Sequence, residues 1–194
     1  GLEELRTVIA RTAKQEKRPL EPAALDLVAL LGDGSYRDAL GVLQQVFGAT
    51  ADKTITADLV ASVTGAPTGE LTRQFVEGLV GGDQATSLGA IHQSVSGQCD
   101  SRIFLKLVLN TIRQAMFLKF APAVGRELVA PLDQIERGFV ETLAARPESS
   151  SLSLILRELL VAYENFGRSY LPELPLELAV LRIAGLLTRH GEKS

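Results

Sequence analysis

Apolar residues recur three and four positions apart along nearly the whole chain, and no apolar–polar alternation runs long enough to predict a strand. The first stripe is Leu2, Leu5, Val8, Ile9 and Thr12, which stops at the polar run Lys14 to Arg18 and Pro19. A second helix is expected from Pro22 to Leu31, opened by a proline and stopped by Gly32 and Gly34. The third opens at Ser35 and is expected to bury Tyr36, Ala39, Leu40, Leu43, Val46 and Phe47. Thr50 to Ile55 reads as a loop with a short extended piece. Thr56 then caps a helix carrying Leu59, Val60 and Val63, which Gly65 closes.

Ala66-Pro67-Thr68 reads as a join between two parts of the chain. Beyond it, Pro67 is expected at a first helical position, with Leu71, Phe75 and Leu79 on one face and Gly81-Gly82 as the stop. Asp83 caps a stripe of Ala85, Leu88, Ile91 and Val95, and Asp100 caps the longest helix, Ser101 to Phe120. That helix is apolar on most sides, so it is expected at the centre of its bundle. Pro122 to Pro131 reads as a loop, Asp133 to Ala145 as a helix, and Arg146 to Ser150 as a polar connection. Ser151 is expected to cap a helix that runs through Phe166. After Pro172 a last helix opens near Pro175 and reaches Thr188, with Arg189 to Ser194 as a frayed end. The pattern predicts an all-α protein, a small bundle of three to four helices followed by a larger helical one, with no fixed-period repeat.

Composition narrows the function classes. Of 194 residues, 46% are hydrophobic and 22% charged, ordinary for a folded chain, and the net charge of −3 gives no electrostatic reason for strong non-specific DNA binding. The single cysteine, Cys99, excludes an internal disulfide and a cysteine-built zinc site, and fits a reducing cytoplasm. No stretch approaches the ~20 apolar residues that span a bilayer, so no membrane role is expected. There is no G-x-x-x-x-G-K-[ST] phosphate loop, no paired carboxylates and no Ser/His/Asp set, so catalysis by this chain alone is not expected. His92 and His190 lack a second ligand at metal spacing, and Cys99 lacks a nearby base. Arg11, Lys14, Lys17 and Arg18 are interrupted by Glu16, with no aromatic residue for base stacking, and read as a solvated face.

One short stretch carries more information, Gly34-Ser35-Tyr36-Arg37-Asp38-Ala39-Leu40. Ser35 suits an N-cap, and Asp38 three residues on approximates a capping box and puts negative charge at the positive end of the helix. Arg37 falls in the same first turn, where the helix dipole disfavours a cation by about a few tenths of a kcal/mol. A guanidinium there makes physical sense if an anion comes to meet it, because exposed N–H groups and the planar arginine fork both suit a phosphate. The bland reading is a surface residue, or a partner for Asp33 or Asp38.

Taken with Leu43-Gln44-Gln45, this stretch resembles the sensor-2 segment G-S-x-R-D-A-L of the gamma/tau subunits of the bacterial DNA polymerase III clamp loader. The lead-in Asp52-Lys53-Thr54-Ile55-Thr56 with the close Val63-Thr64-Gly65 is similar to the same family, as is the terminal run Leu174-Pro175-Leu176-Glu177-Leu178-Ala179-Val180-Leu181-Arg182. Residues 65 to 172 match only in helix pattern. The resemblance implies a fragment, an AAA+ lid at 1–64 and a helical collar at 65–194, whose nucleotide-binding domain is not in this chain. Arg37 is then the nucleotide-sensing arginine, with Ser35 and Asp38 as helix-cap support. Leu176, Val180, Leu181, Ile183 and Leu187 are candidates for subunit contact, with the plain core of the collar as the competing reading. ATP with Mg belongs to the full-length protein, and none is expected on this fragment. The implied partners are further gamma/tau copies and the delta and delta-prime subunits, with the sliding clamp and primer–template DNA reached only through the whole complex. The competing class is a helical adaptor or scaffold unrelated to replication.

Overall fold

The computed structural model describes residues 2–191, so the expected fraying of Glu192 to Ser194 and the side chain of His190 lie outside the described residues. Among the described residues there are eleven α-helices, one 3-10 turn and no strand, only a single isolated parallel bridge between Leu20 and Ile55. The chain forms two compact units, one from Gly1–Thr68 with Pro131–Asp133, the other from Gly69–Ala130 with Gln134–Ser194.

The first unit holds α1 (Leu2–Gln15), α2 (Pro22–Leu31), α3 (Tyr36–Ala49) and α4 (Ala57–Thr64). Its core is built from the apolar faces the periodicity marks, including Leu5, Ile9, Val28, Ala39, Leu43, Val46, Ile55 and Val60. Tyr36 is a correction to the expected stripe. It lies at the start of α3, 44% exposed, and its hydroxyl reaches toward a Glu4 carboxylate oxygen at 3.5 Å. The extended piece in the 50–55 loop is short and firmly tied. The Ile55 N–H donates to the Pro19 carbonyl at 3.0 Å, and the Glu21 N–H to the Ile55 carbonyl at 2.9 Å.

Arg18 fastens the same region. Its guanidinium donates to the carbonyls of Phe47 and Thr50, each at 2.8 Å, and of Asp52 at 2.9 Å, and it stacks over the Phe47 ring at 4.6 Å. A cation at the C-terminal end of α3 meets the negative end of the helix and satisfies carbonyls that the helix leaves open. Arg18 is therefore a structural residue, while Arg11, Lys14 and Lys17 are exposed. Arg6 of α1 pairs with Asp26 of α2, both largely withdrawn from solvent.

The second unit holds α5 (Gly69–Gly81), α6 (Gln84–Ser96), α7 (Ser101–Phe120), α8 (Pro122–Val129), α9 (Gln134–Ala145), a 3-10 turn (Pro147–Ser151), α10 (Leu152–Asn165) and α11 (Leu174–Gly191). As its pattern predicts, α7 is central, packed against α5, α8, α9 and α10 and burying Phe104, Leu105, Val108 and Ile112. Phe104 meets Phe75 of α5 edge to face, ring centres 5.2 Å apart. The two aspartate caps form. Asp83 accepts from the Thr86 N–H at 3.0 Å, and Asp100 from the N–H groups of Arg102 and Ile103 at 2.8 and 3.0 Å.

Four expectations are corrected in this unit. Pro122 to Val129 is a helix, because Gly125 lets α8 fold back directly onto the backbone of α7 at Leu118, where a Cβ has no room. Pro67 lies before α5, which opens at Gly69. Ser151 makes no capping bond and closes the 3-10 turn instead. Val95 is 42% exposed, outside the core that Ala90 and Ile91 enter.

Candidate functional site

The start of α3 is set by a turn through two left-handed residues. Asp33 has φ 51° and Gly34 φ 80°, conformations that glycine adopts freely and a short polar residue tolerates. This reverses the chain after α2, and the Ser35 N–H closes the turn on the Gly32 carbonyl at 2.7 Å. The Ser35 hydroxyl then accepts from the Asp38 N–H at 3.2 Å, and the first backbone bond of the helix runs from the Ala39 N–H to the Ser35 carbonyl at 3.0 Å. The capping box is thus half made. Ser35 caps, but its own N–H is taken by Gly32, so Asp38 contributes charge and a backbone donor without the return bond.

Ala39, Leu43 and Val46 lock the rotation of α3 in the core, and Arg37 faces away from them, exposed. Among the described residues no ion pair or hydrogen bond holds its guanidinium, so pairing with Asp33 or Asp38 is not what places it there. The backbone N–H groups of Tyr36 and Arg37 precede the first intrahelical bond, leaving donors at the positive end of a helix beside a free arginine fork. Such an end can hold an anion with two or more oxygens.

The second sequence-marked region, α11, divides its residues sharply. Leu176, Val180 and Ile183 are fully buried in the core of their own unit, so as subunit-contact candidates they are corrected to intramolecular packing, the outcome a helix stripe usually has. Leu187 is half-buried, and Leu181 is 50% exposed. Leu178, which the periodicity did not single out, is exposed as well. Leu178 and, from α10, Val161 line a groove of about 240 Å³ between the two helices, and Leu160 is exposed elsewhere on α10.

The remaining candidates settle quietly. His92 Nε2 lies 3.5 Å from a Glu177 carboxylate oxygen, a pair from α6 and α11 that sequence spacing had no means to signal. Cys99 is half-buried, its sulfur 4.0 Å from the Gly97 carbonyl. Among the described residues no group of three His, Cys, Asp or Glu side chains could hold a metal, and no helix is long and apolar enough to cross a membrane. Sequence reasoning also missed three arginine anchors, Arg18, Arg73 on Glu136 and Arg146 on Glu77, since each joins residues far apart in the chain.

The fold is similar to that of a solved clamp-loader protein. The structure of the Bacillus subtilis DNA clamp loader delta protein superimposes with a TM-score of 0.51 at 17% identity, over 95% of this chain and 57% of that one. In sequence, the chain is a relative of DNA polymerase III gamma/tau subunits. It is 29% identical to the DNA polymerase III subunit gamma/tau of Mycobacterium tuberculosis H37Rv over 181 residues, which is 92% of this chain and 31% of that protein. The DNA polymerase III subunit tau of Escherichia coli K12 is 23% identical over 186 residues, 93% of this chain and 27% of its own length. The chain therefore spans less than a third of the length of the curated relatives it matches. No protein-family profile matches it.

Proposed function

We propose that this chain is the lid and collar portion of a clamp-loader ATPase subunit that acts in the cytoplasm during DNA replication. Residues 1–64 serve as the lid of a nucleotide-binding domain elsewhere in the protein, and residues 65–194 as the collar that holds subunits together. The observation that carries the reading is Arg37, a free guanidinium in the first turn of a capped helix beside unsatisfied backbone donors. Those groups fit the terminal phosphates of ATP. Arg37 adds a fixed positive charge and two parallel donors, which lysine supplies less well. Its contact is stronger with a triphosphate than with a diphosphate, so the orientation of the lid comes to depend on the nucleotide. On this reading ATP and Mg belong to the full-length protein.

The collar reading rests on the match of nearly the whole chain to the gamma/tau relatives and on the apolar surface that α10 and α11 leave uncovered. Its partners are further copies of the subunit and the delta and delta-prime subunits. The test is the mass of the chain by light scattering, alone and mixed with delta and delta-prime of the same organism. A stable complex is expected. Absence of any complex at about micromolar concentrations, where specific assemblies of this kind form, would leave a helical adaptor for another machine.

A further inference from the structure

Helix α7 carries four cations, Arg102, Lys106, Arg113 and Lys119, and no acidic residue across its 20 positions. It does so in a chain whose net charge is −3. At about 100° per residue, Arg102, Lys106, Arg113, Phe117 and Phe120 fall within one arc of about 60°. That arc lies opposite the face that buries Phe104, Val108, Ile112 and Ala115. Arg102 and Arg113 are exposed along it, Lys106 and Phe117 are half-buried, and Phe120 is 58% exposed. From Arg102 to Phe120 the strip runs about 27 Å.

Aromatic rings, not carboxylates, hold the two exposed arginines. Arg102 lies over the ring of Tyr163 of α10 and Arg113 over that of Phe117, each 5.2 Å from the ring centre. Among the described residues neither pairs with an acid. Stacking occupies the face of a guanidinium and leaves the N–H groups at its edge for an anionic oxygen. Asp100, the carboxylate at the start of α7, is turned onto the N–H groups of Arg102 and Ile103. Lys119 is turned away, donating to the Arg146 carbonyl at 3.3 Å. On α10, Tyr163 lies at least about 100° around the helix from Val161, Ala162 and Asn165, so the strip is separate from the groove those residues line.

Cations in line, with aromatic rings among them and no acid on the helix, fit a polymer of phosphates and planar bases. Bases inside a duplex stack on one another and offer Phe120 no face, whereas a single strand does. We propose that this arc of α7 binds single-stranded nucleic acid, Arg102 and Arg113 taking backbone phosphates and Phe120 stacking on a base. With the arginines on phosphates and the bases met by a ring face, binding is independent of sequence. The net charge of the whole chain opposes it, so the attraction is local and fades as salt rises. The strip belongs to the second unit alone and stands apart from the lid-and-collar reading.

Fluorescence anisotropy at low salt, with a labelled oligothymidine of about 16 nucleotides, tests this. The chain is expected to bind it at least about fivefold more tightly than a duplex of the same length. R102Q/R113Q is expected to weaken binding about tenfold and to flatten the dependence of log affinity on log salt by about 1.4, the share of two single-strand phosphates. F120A is expected to weaken binding about fivefold or more and to leave that salt slope unchanged. Circular dichroism checks that the fold is intact, as all three side chains are exposed. No binding at about 100 μM protein, equal affinity for the duplex, an R102Q/R113Q variant with the parent's affinity and slope, or an F120A variant that binds like the parent would each overturn the proposal. Displacement of the oligothymidine by polyglutamate at equal charge would assign the strip to an acidic protein segment and overturn it as well.

Discussion

Arg146 and Glu77 stand 69 positions apart in sequence and meet as a two-pronged ion pair, guanidinium nitrogens 2.5 and 2.7 Å from the two carboxylate oxygens. The pair ties the end of α9 to α5. The hydrogen bond to Glu77 holds the Arg146 guanidinium above its ordinary value, against the opposing effect of burial. A raised guanidinium contributes its stability at all pH values below its unfolded pKa and loses it only as pH climbs past the folded one, far into alkali. Replacing Arg146 by Met keeps the aliphatic stem and removes the fork. Both partners are about a third exposed, so solvent screens the pair. The expected loss is about 1 kcal/mol in urea unfolding, and a midpoint indistinguishable from the parent would show that the pair is ornamental to stability.

Asp83 supplies acid sensitivity at a defined place. Its side-chain bond to the Thr86 hydroxyl, followed by that to the Thr86 N–H, lowers its pKa. A lowered carboxylate contributes stability that is present above its unfolded pKa and lost as pH falls through the folded value. D83N retains a capping oxygen and abolishes the titration. The advantage of the parent over D83N, read from thermal midpoints, is therefore expected at neutral pH and to shrink below about pH 4. A gap that stays constant through acid would mean that Asp83 acts by shape alone.

Arg37→Ala in the full-length subunit is expected to leave helix content and the thermal midpoint unchanged, because the side chain is exposed and outside the core. Nucleotide-dependent ATPase activity and clamp loading are expected to fall by about tenfold or more, the scale on which positioned arginines act in phosphoryl transfer. R37K is expected to recover only part of this, since a point charge replaces a fork. Activity unchanged in R37A would remove Arg37 from the mechanism.

Leu181→Asp is expected to disturb assembly more than folding. Leu181 is half exposed, so a carboxylate there meets water in the free chain and an apolar partner in the assembled one. Co-purification with delta and delta-prime reads the first effect and circular dichroism the second. Normal assembly of the variant would place Leu181 outside the interface.

The helices were legible because their cores follow a period that sequence states directly. The stripe through Ala39, Leu43 and Val46 and the near-continuous apolar face of α7 are examples. Caps were legible where an aspartate or serine precedes such a stripe, as at Ser35, Asp83 and Asp100. What failed has a common cause. Tyr36 and Val95 sit at helix ends, where the stripe runs past the neighbour it would have packed on. Helix α8 has only eight residues, a glycine within it and an alanine in place of a polar cap before it, so its local signal is weak, and it forms because α7 offers a backbone to pack against. The exposed first-turn position of Arg37 was legible too, because the Ser35 cap that fixes the start of α3 is a local feature. The division of α11 into buried Leu176, Val180 and Ile183 and exposed Leu178 and Leu181 was not, because α6 and α10 decide which side of that helix is covered.

Arg18 has a dynamic consequence. One guanidinium holds the Phe47 carbonyl in the last turn of α3 and the Thr50 and Asp52 carbonyls of the α3–α4 connection, while the Ile55 and Glu21 amides stitch that connection to the segment before α2. Neither connection can open while the other stays closed. In hydrogen–deuterium exchange, the amides of Glu21 and Ile55, though 34 residues apart, should therefore share one opening event and one protection factor, making two surface loops a single cooperative element of the first unit.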